Sequence, residues 1–209
     1  MANRHSAHIS SSSSSKRHSI LPPVAQAGPK APVRFSSSLV IADSAILTGA
    51  HPIQLRTESL VHPRAKIDSL GGAIDIGKRC VVHERTHVGA LPVGDAGPGG
   101  GGGSAVTIMD YCTVEVGSTV EAGGTVIGEG TIVGVSCRVG SGAVVGKYCT
   151  LSPRTTIAPG ETVPDYTVVF SNGMHRRDRR DVVDIRTRAQ ARQLEVLRKL
   201  IPSNQAKFQ

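Results

Sequence analysis

The 209 residues suffice for one domain with tails, and they include only three Tyr, three Phe and no Trp. So few aromatics exclude an ordinary globular core, and no run of about 18 apolar residues is present to span a bilayer. The net charge of +8 is uneven, with basic ends (residues 1–40 and 174–209) around a mildly acidic middle. Such ends suit nucleic acid, but no aromatic platform or recognised motif accompanies them, so no nucleic-acid partner is expected.

Residues 1–38 are expected to be a disordered, basic Ser/Pro-rich tail. Ser10 to Ser15 is a homopolymer, and Pro22, Pro23, Pro29 and Pro32 punctuate the rest. The lack of acids also resembles a mitochondrial presequence. However, Ile20-Leu21 runs straight into two prolines, which leaves no amphipathic helix, so a cytoplasmic chain is expected.

From residue 39 to 174 the chain repeats in sixes. Aliphatic residues open the hexads at Ile41, Leu47, Leu55, Val61, Ile67, Ile76, Val82 and Val88. They resume at Ile108 and continue through Val114, Val120, Ile127, Val133 and Val139 to Val169. The fifth place is small nearly throughout; His51, Pro92 and Glu161 depart. This is the signature of an all-β solenoid, a parallel β-helix of hexapeptide repeats. Each hexad forms one flat side of a triangular prism, and three make a coil. The opening aliphatic stacks inward at the strand spacing of roughly 4.8 Å, so each coil is buried only by its neighbours. Phase slips between Leu47 and Leu55, between Ile67 and Ile76, and at Val126 predict bulged corners.

Cys80, Cys112, Cys137 and Cys149 all occupy fifth places, where Ala, Ser and Thr sit in sister repeats. They are therefore expected to be small buried thiols, in keeping with a reducing compartment. Residues 91–106 interrupt the hexads with the pentaglycine Gly99–Gly103. A phosphate-binding loop would need Lys-Ser/Thr after its last glycine and then a helix. Both are missing, so a flexible loop pushed out of one corner is expected.

A basic linker is expected over 175–183, then a helix over 184–203 that Asp184 caps and Pro202 ends. Ile185, Ala189, Leu194, Leu197, Leu200 and Ile201 read as its apolar stripe.

The fold class alone does not give a function. A zinc enzyme resembling γ-carbonic anhydrase would need three histidines from adjacent coils. His83 suits the first place, but Val116 and Glu121 stand where the other two would be, and no His lies between His87 and His175. His83 and His87 are then read as surface residues. An acyltransferase would need a catalytic His near a subunit boundary. The later coils carry none, and His62 has no carboxylate orienter visible in sequence. No cofactor, metal or catalytic residue is therefore expected, and the chain is read as non-enzymatic, with those two enzyme classes as the alternative.

Several stretches resemble the dynactin subunit 6 family. They are Val61-His62-Pro63-Arg64-Ala65-Lys66-Ile67, the acid and glycine within Ile74–Gly77, the polar insertion after Val88, and Val114-Glu115-Val116-Gly117. The basic segment followed by Leu194-Glu195-Val196-Leu197-Arg198-Lys199-Leu200-Ile201-Pro202 adds to the likeness. The resemblance implies a left-handed β-helix acting as a scaffold in the dynactin pointed-end complex. Its partners would be dynactin subunit 5, the actin-related protein and subunit 4, with indirect links to dynein and endosomal cargo on microtubules and no insertion into membrane. The expected partner interface is Arg176, Arg177, Arg179, Arg180, Leu194, Leu197 and Leu200.

Overall fold

A computed structural model describes residues 31–36, 38–92 and 104–208. The pentaglycine loop and most of the expected tail lie outside the described residues.

The hexads fold into a three-sided prism of stacked parallel strands. The first face holds seven strands, from Val33–Phe35 to Thr162–Val163. The second holds seven parallel strands, from Val40–Ile41 to Thr167–Val169, and the third six, from Ile46–Gly49 to Thr156–Ile157. Among the described residues this makes six complete turns and two sides of a seventh. Every hexad-opening aliphatic named above is buried except Leu47, which is half-buried.

The fifth place does more than save space. Ser59, Ser118 and Thr131 donate from their hydroxyls to the carbonyls of Gly77, Gly134 and Gly146 one coil further on, at 2.6–2.7 Å. The thiols of Cys80, Cys112, Cys137 and Cys149 point in the same direction, 3.0–3.1 Å from the carbonyls of Met109, Gly128, Ser152 and Pro164. All four cysteines are free and buried. Burial pushes the thiols of Cys80, Cys137 and Cys149 up. At many corners the fourth place turns the chain with a left-handed backbone, at φ of 51–63° for Arg64, Arg85, Tyr111, Ser136, Tyr148, Arg154 and Tyr166. Such φ values disfavour side-chain-bearing residues, and the coil-to-coil hydrogen bonds on either side hold them there.

All phase slips fall at one corner, between the third face and the first: 50–52, 70–73, 91–105 and 122–125.

Both ends of the repeat region differ from the sequence expectation. The strand Val33–Phe35 pairs with Ile53–Leu55 and so lies inside the stretch expected to be tail. His175–Arg177, expected as linker, folds back antiparallel onto Thr167–Val169 and covers the last open edge of the second face.

The helix Val183–Leu200 runs back along the second face toward the first coils. Its N-cap is Val182 with no side-chain cap, and Asp184 sits in the first turn instead, where its charge suits the helix dipole. The buried stripe is shifted from the expected one. Arg186 donates to the Tyr148 carbonyl at 3.0 Å and to Thr150 Oγ1 at 2.7 Å. Gln190 donates to the Cys112 carbonyl and Thr113 Oγ1, both at 3.3 Å. Leu194 packs on Leu60 and Val81, with Leu197, Ile201 and Val40 around them. Ile185 and Leu200 are each 70% exposed, and Ala189 is also exposed. The coil surface under the helix's first half presents carbonyls and hydroxyls, so polar side chains make the contacts there.

Beyond the helix the chain caps the first coil. Ser203 bridges Ala42, Asn204 N–H donates to the Ile41 carbonyl at 3.0 Å, and Phe208 packs against the core. This covers the other open edge of the second face.

Candidate active site

Two histidine–carboxylate groups form because the coils stack equivalent hexad positions. The second place of three consecutive coils holds His62, His83 and Glu115, following Val61, Val82 and Val114, which pair in register. The His62 and His83 rings stack, with centroids 4.5 Å apart. His83 Nε2 lies 3.8 Å from Glu115 Oε2 and 3.5 Å from Gln193 Nε2 of the helix. His62 Nε2 is buried without a partner among the described residues. Burial, with the neighbouring His83, holds His62 below the usual histidine range; burial does the same to His83 and pushes Glu115 up.

The second group lies on the outer side of the third face. Lys66 and His87 are register partners on adjacent strands. Asp68, two residues beyond Lys66, is buried. Its Oδ2 lies 2.9 Å from Lys66 Nζ and 4.0 Å from His87 Nε2, and its Oδ1 accepts the Leu70 N–H at 3.2 Å. The His87 side chain is 32% exposed, although its Nε2 is buried and has no hydrogen-bond partner among the described residues. Burial and the Lys66 charge hold His87 below its usual range, while Asp68 opposes them. Ile46, Leu70 and Leu91 stand exposed nearby, Ile46 in register with Lys66 and the other two at the adjoining corner. Gly71 allows this corner to close, since a Cβ there would lie 2.6 Å from Ala122 Cβ and 3.0 Å from Leu91 Cδ2.

His83 and His87 each acquire a carboxylate that linear sequence hides. Asp68 and His87 are 19 positions apart, His83 and Glu115 are 32 apart, and only the register joins them. Reading His83 and His87 as plain surface residues is corrected: both are half-buried. The signal available in sequence was the common hexad place of His62, His83 and Glu115. Glu121, which stands where a zinc-binding histidine would be needed, is buried; it accepts from Arg138 Nε at 2.7 Å and from Ser141 N–H at 3.1 Å. Among the described residues, no three His, Cys, Asp or Glu side chains are grouped to hold a metal ion.

The expected interface residues separate. Arg176 and Arg177 are exposed on the antiparallel strand, and Arg179 is exposed after it. Arg180 and Asp178 form an ion pair at 2.9 Å, and Arg180 lowers the Asp178 carboxyl to about 2. A concavity of about 500 Å³ joins Arg177, Arg179 and Arg180 to Tyr166. Its carboxylates are Asp178, tied up by Arg180, and Asp181, and it lies coils away from both histidine groups. Leu194 is buried and Leu197 half-buried, whereas Leu200 faces solvent, so the three leucines do not share one contact.

No protein-family model matches the chain, and no curated protein matches it. Solved structures do. A putative acetyltransferase from Bacillus cereus has a TM-score of 0.64 at 17% identity, over 79% of this chain and 88% of its own. A hexapeptide transferase family protein from Anaplasma phagocytophilum has a TM-score of 0.60 at 11% identity, over 81% of this chain and 96% of its own. One expectation is corrected here. The chain was read as non-enzymatic; the proteins it resembles in structure are a putative acetyltransferase and a transferase-family protein. These structures share the hexapeptide-repeat β-helix that the likeness to dynactin subunit 6 implied, and nothing in them identifies that family in particular. No helix among the described residues is long and apolar enough to cross a membrane. The fold is that of the hexapeptide-repeat left-handed β-helix proteins, closed by a single C-terminal helix.

Proposed function

We propose that the chain is an acyltransferase in which His87, positioned by Asp68, acts as general base. The observation that carries this reading is the geometry of His87. Its ring is partly open to solvent on a rigid face, its Nε2 points at a buried carboxylate, and burial with Lys66 keeps it neutral. A base needs that protonation state and that access, and a carboxylate behind the ring fixes its orientation. The 4.0 Å separation is long for a hydrogen bond, as is common before substrate closes a site. The fold shared with a putative acetyltransferase agrees with the proposal.

In the proposed reaction, His87 takes a proton from an acceptor amine or hydroxyl as that atom attacks the donor's acyl carbonyl. The tetrahedral intermediate collapses by breaking the bond to the donor's leaving group, which takes the proton back from His87. Ile46, Leu70 and Leu91 give the acyl chain an apolar surface beside the ring.

The test measures free thiol released from short-chain acyl thioesters in the presence of a panel of primary amines and alcohols. Acceptor-dependent release is expected, and His87→Asn should reduce it by about 10²- to 10⁴-fold. Release that the variant leaves unchanged, or none with any acceptor, overturns the assignment.

A further inference from the structure

A stack of tyrosine rings at the corner between the first and second faces ends at the basic concavity. Tyr148 and Tyr166 occupy equivalent places in the last two coils, as the pairing of Thr150 with Val168 requires, and their rings stack with centroids 5.6 Å apart. Tyr166 is half-buried and belongs to the last coil, so no further coil supplies a ring for its far side. Among the described residues no second ring stacks on it and no cation lies over it. The chain reverses past this point, with Asp178 N–H donating to the Tyr166 carbonyl at 2.6 Å. The concavity of about 500 Å³ opens here, lined by Tyr166, Arg177, Asp178, Arg179, Arg180 and Asp181. Arg180 is paired with Asp178 at 2.9 Å. The side chains of Arg177, Arg179 and Asp181 make no ion pair or hydrogen bond with any described residue, and all three residues are exposed.

Three chemistries therefore meet in one concavity, whose volume is in the range that holds small molecules. Two unpaired guanidinium groups suit a phosphate, whose oxygens match their forked donors. The ring that ends the stack suits a planar base, for which stacking is favourable whatever its edge carries. Asp181 accepts hydrogen bonds and repels a second anion, so it suits the hydroxyls of a sugar. From these features we propose that this concavity binds a nucleoside monophosphate. Its base continues the stack on Tyr166, its phosphate lies with Arg177 and Arg179, and its ribose hydroxyls donate to Asp181. The site is independent of His87 and of the acyl-transfer reading.

Adenosine 5′-monophosphate is the probe, with ribose 5-phosphate and adenosine as comparisons at matched ionic strength. Titration of the full chain, followed by NMR, should show saturable binding and a contact between the adenine protons and the Tyr166 ring, which is one of only three tyrosines. Ribose 5-phosphate lacks the base and should bind about 10- to 100-fold more weakly; adenosine lacks the phosphate and should also bind more weakly. Arg177→Gln combined with Arg179→Gln should weaken the nucleotide by about 10- to 100-fold, whereas Arg188→Gln, exposed on the helix, should leave it unchanged. Absence of saturation, ribose 5-phosphate binding as tightly as the nucleotide, or wild-type affinity in the double variant overturns the proposal. Should the double variant fail to fold, the wild-type chain decides: an adenine contact to Tyr166 supports the site, and its absence refutes it.

Discussion

Replacing Leu194 with Asp should detach the C-terminal half of the helix and leave the prism standing. Leu194 is 4% exposed and rests on Leu60 and Val81, both fully buried. Removing such a leucine forfeits roughly 1.5–3 kcal/mol of burial. A carboxylate held in its place would lie against apolar side chains with no partner, a penalty of several kcal/mol. Lifting the helix away avoids that penalty. Arg186 and Gln190 still hold the first half through hydrogen bonds worth about 1 kcal/mol each. Half of this 18-residue helix is shorter than the roughly 12–15 residues an isolated helix needs in water, so the released half unfolds. The coils remain because each is supported by its neighbours. Circular dichroism should lose helical signal while the β signal persists, and hydrogen exchange should speed up over 191–201 but not over the strands Leu60–Val61 and Val81–Val82. Global unfolding, or equal loss of protection in those strands, would refute the separation of helix from core.

Gly134 has no room for a Cβ, which would lie 2.3 Å from the Leu151 carbonyl of the next coil, so Gly134→Ala should destabilise by about 3 kcal/mol or more; Gly160→Ala, with only its φ of +70° to strain it, should lose about 1–2 kcal/mol in the same denaturant titration. His62 and His83 are both held below the usual histidine pKa of about 6.5. The unfolded chain therefore binds protons first on acidification, and stability present above about pH 6.5 should fall as pH drops through the folded-state values. His62→Phe keeps the ring stack and should flatten that fall in urea midpoints measured from pH 7.5 to 5; a steeper fall would contradict the reasoning. The four thiols should react with a maleimide only in denaturant, and rapid labelling of the native protein would contradict their placement.

The hexads were legible because their core is one-dimensional: an aliphatic every six residues has one inward direction and one kind of neighbour. The fourth-place left-handed turns were not, since Arg64, Arg85, Tyr148 and Arg154 give no propensity signal for that backbone. The helix register was misread because apolar residues were taken as the contact, whereas Arg186 and Gln190 meet a surface of carbonyls. The site stayed hidden for a related reason. Asp68 and His87 meet only through the strand register, and a phase slip with Gly71 and Gly72 separates their hexads. The likeness to a dynactin subunit rested on strings such as Val61–Ile67, in which aliphatic, turn and small places are largely set by the coil itself. Such strings report the fold more strongly than the function.

The account stands most directly on the pH profile of acyl transfer. With a responsive thioester and acceptor, the rate should fall on acidification with an apparent pKa below about 6.5, because burial and Lys66 hold His87 down. Asp68→Asn removes the one influence that raises His87, so it should move that limb to still lower pH while reducing the plateau. A limb that Asp68→Asn leaves in place, or a profile that survives His87→Asn, would contradict His87 as the base.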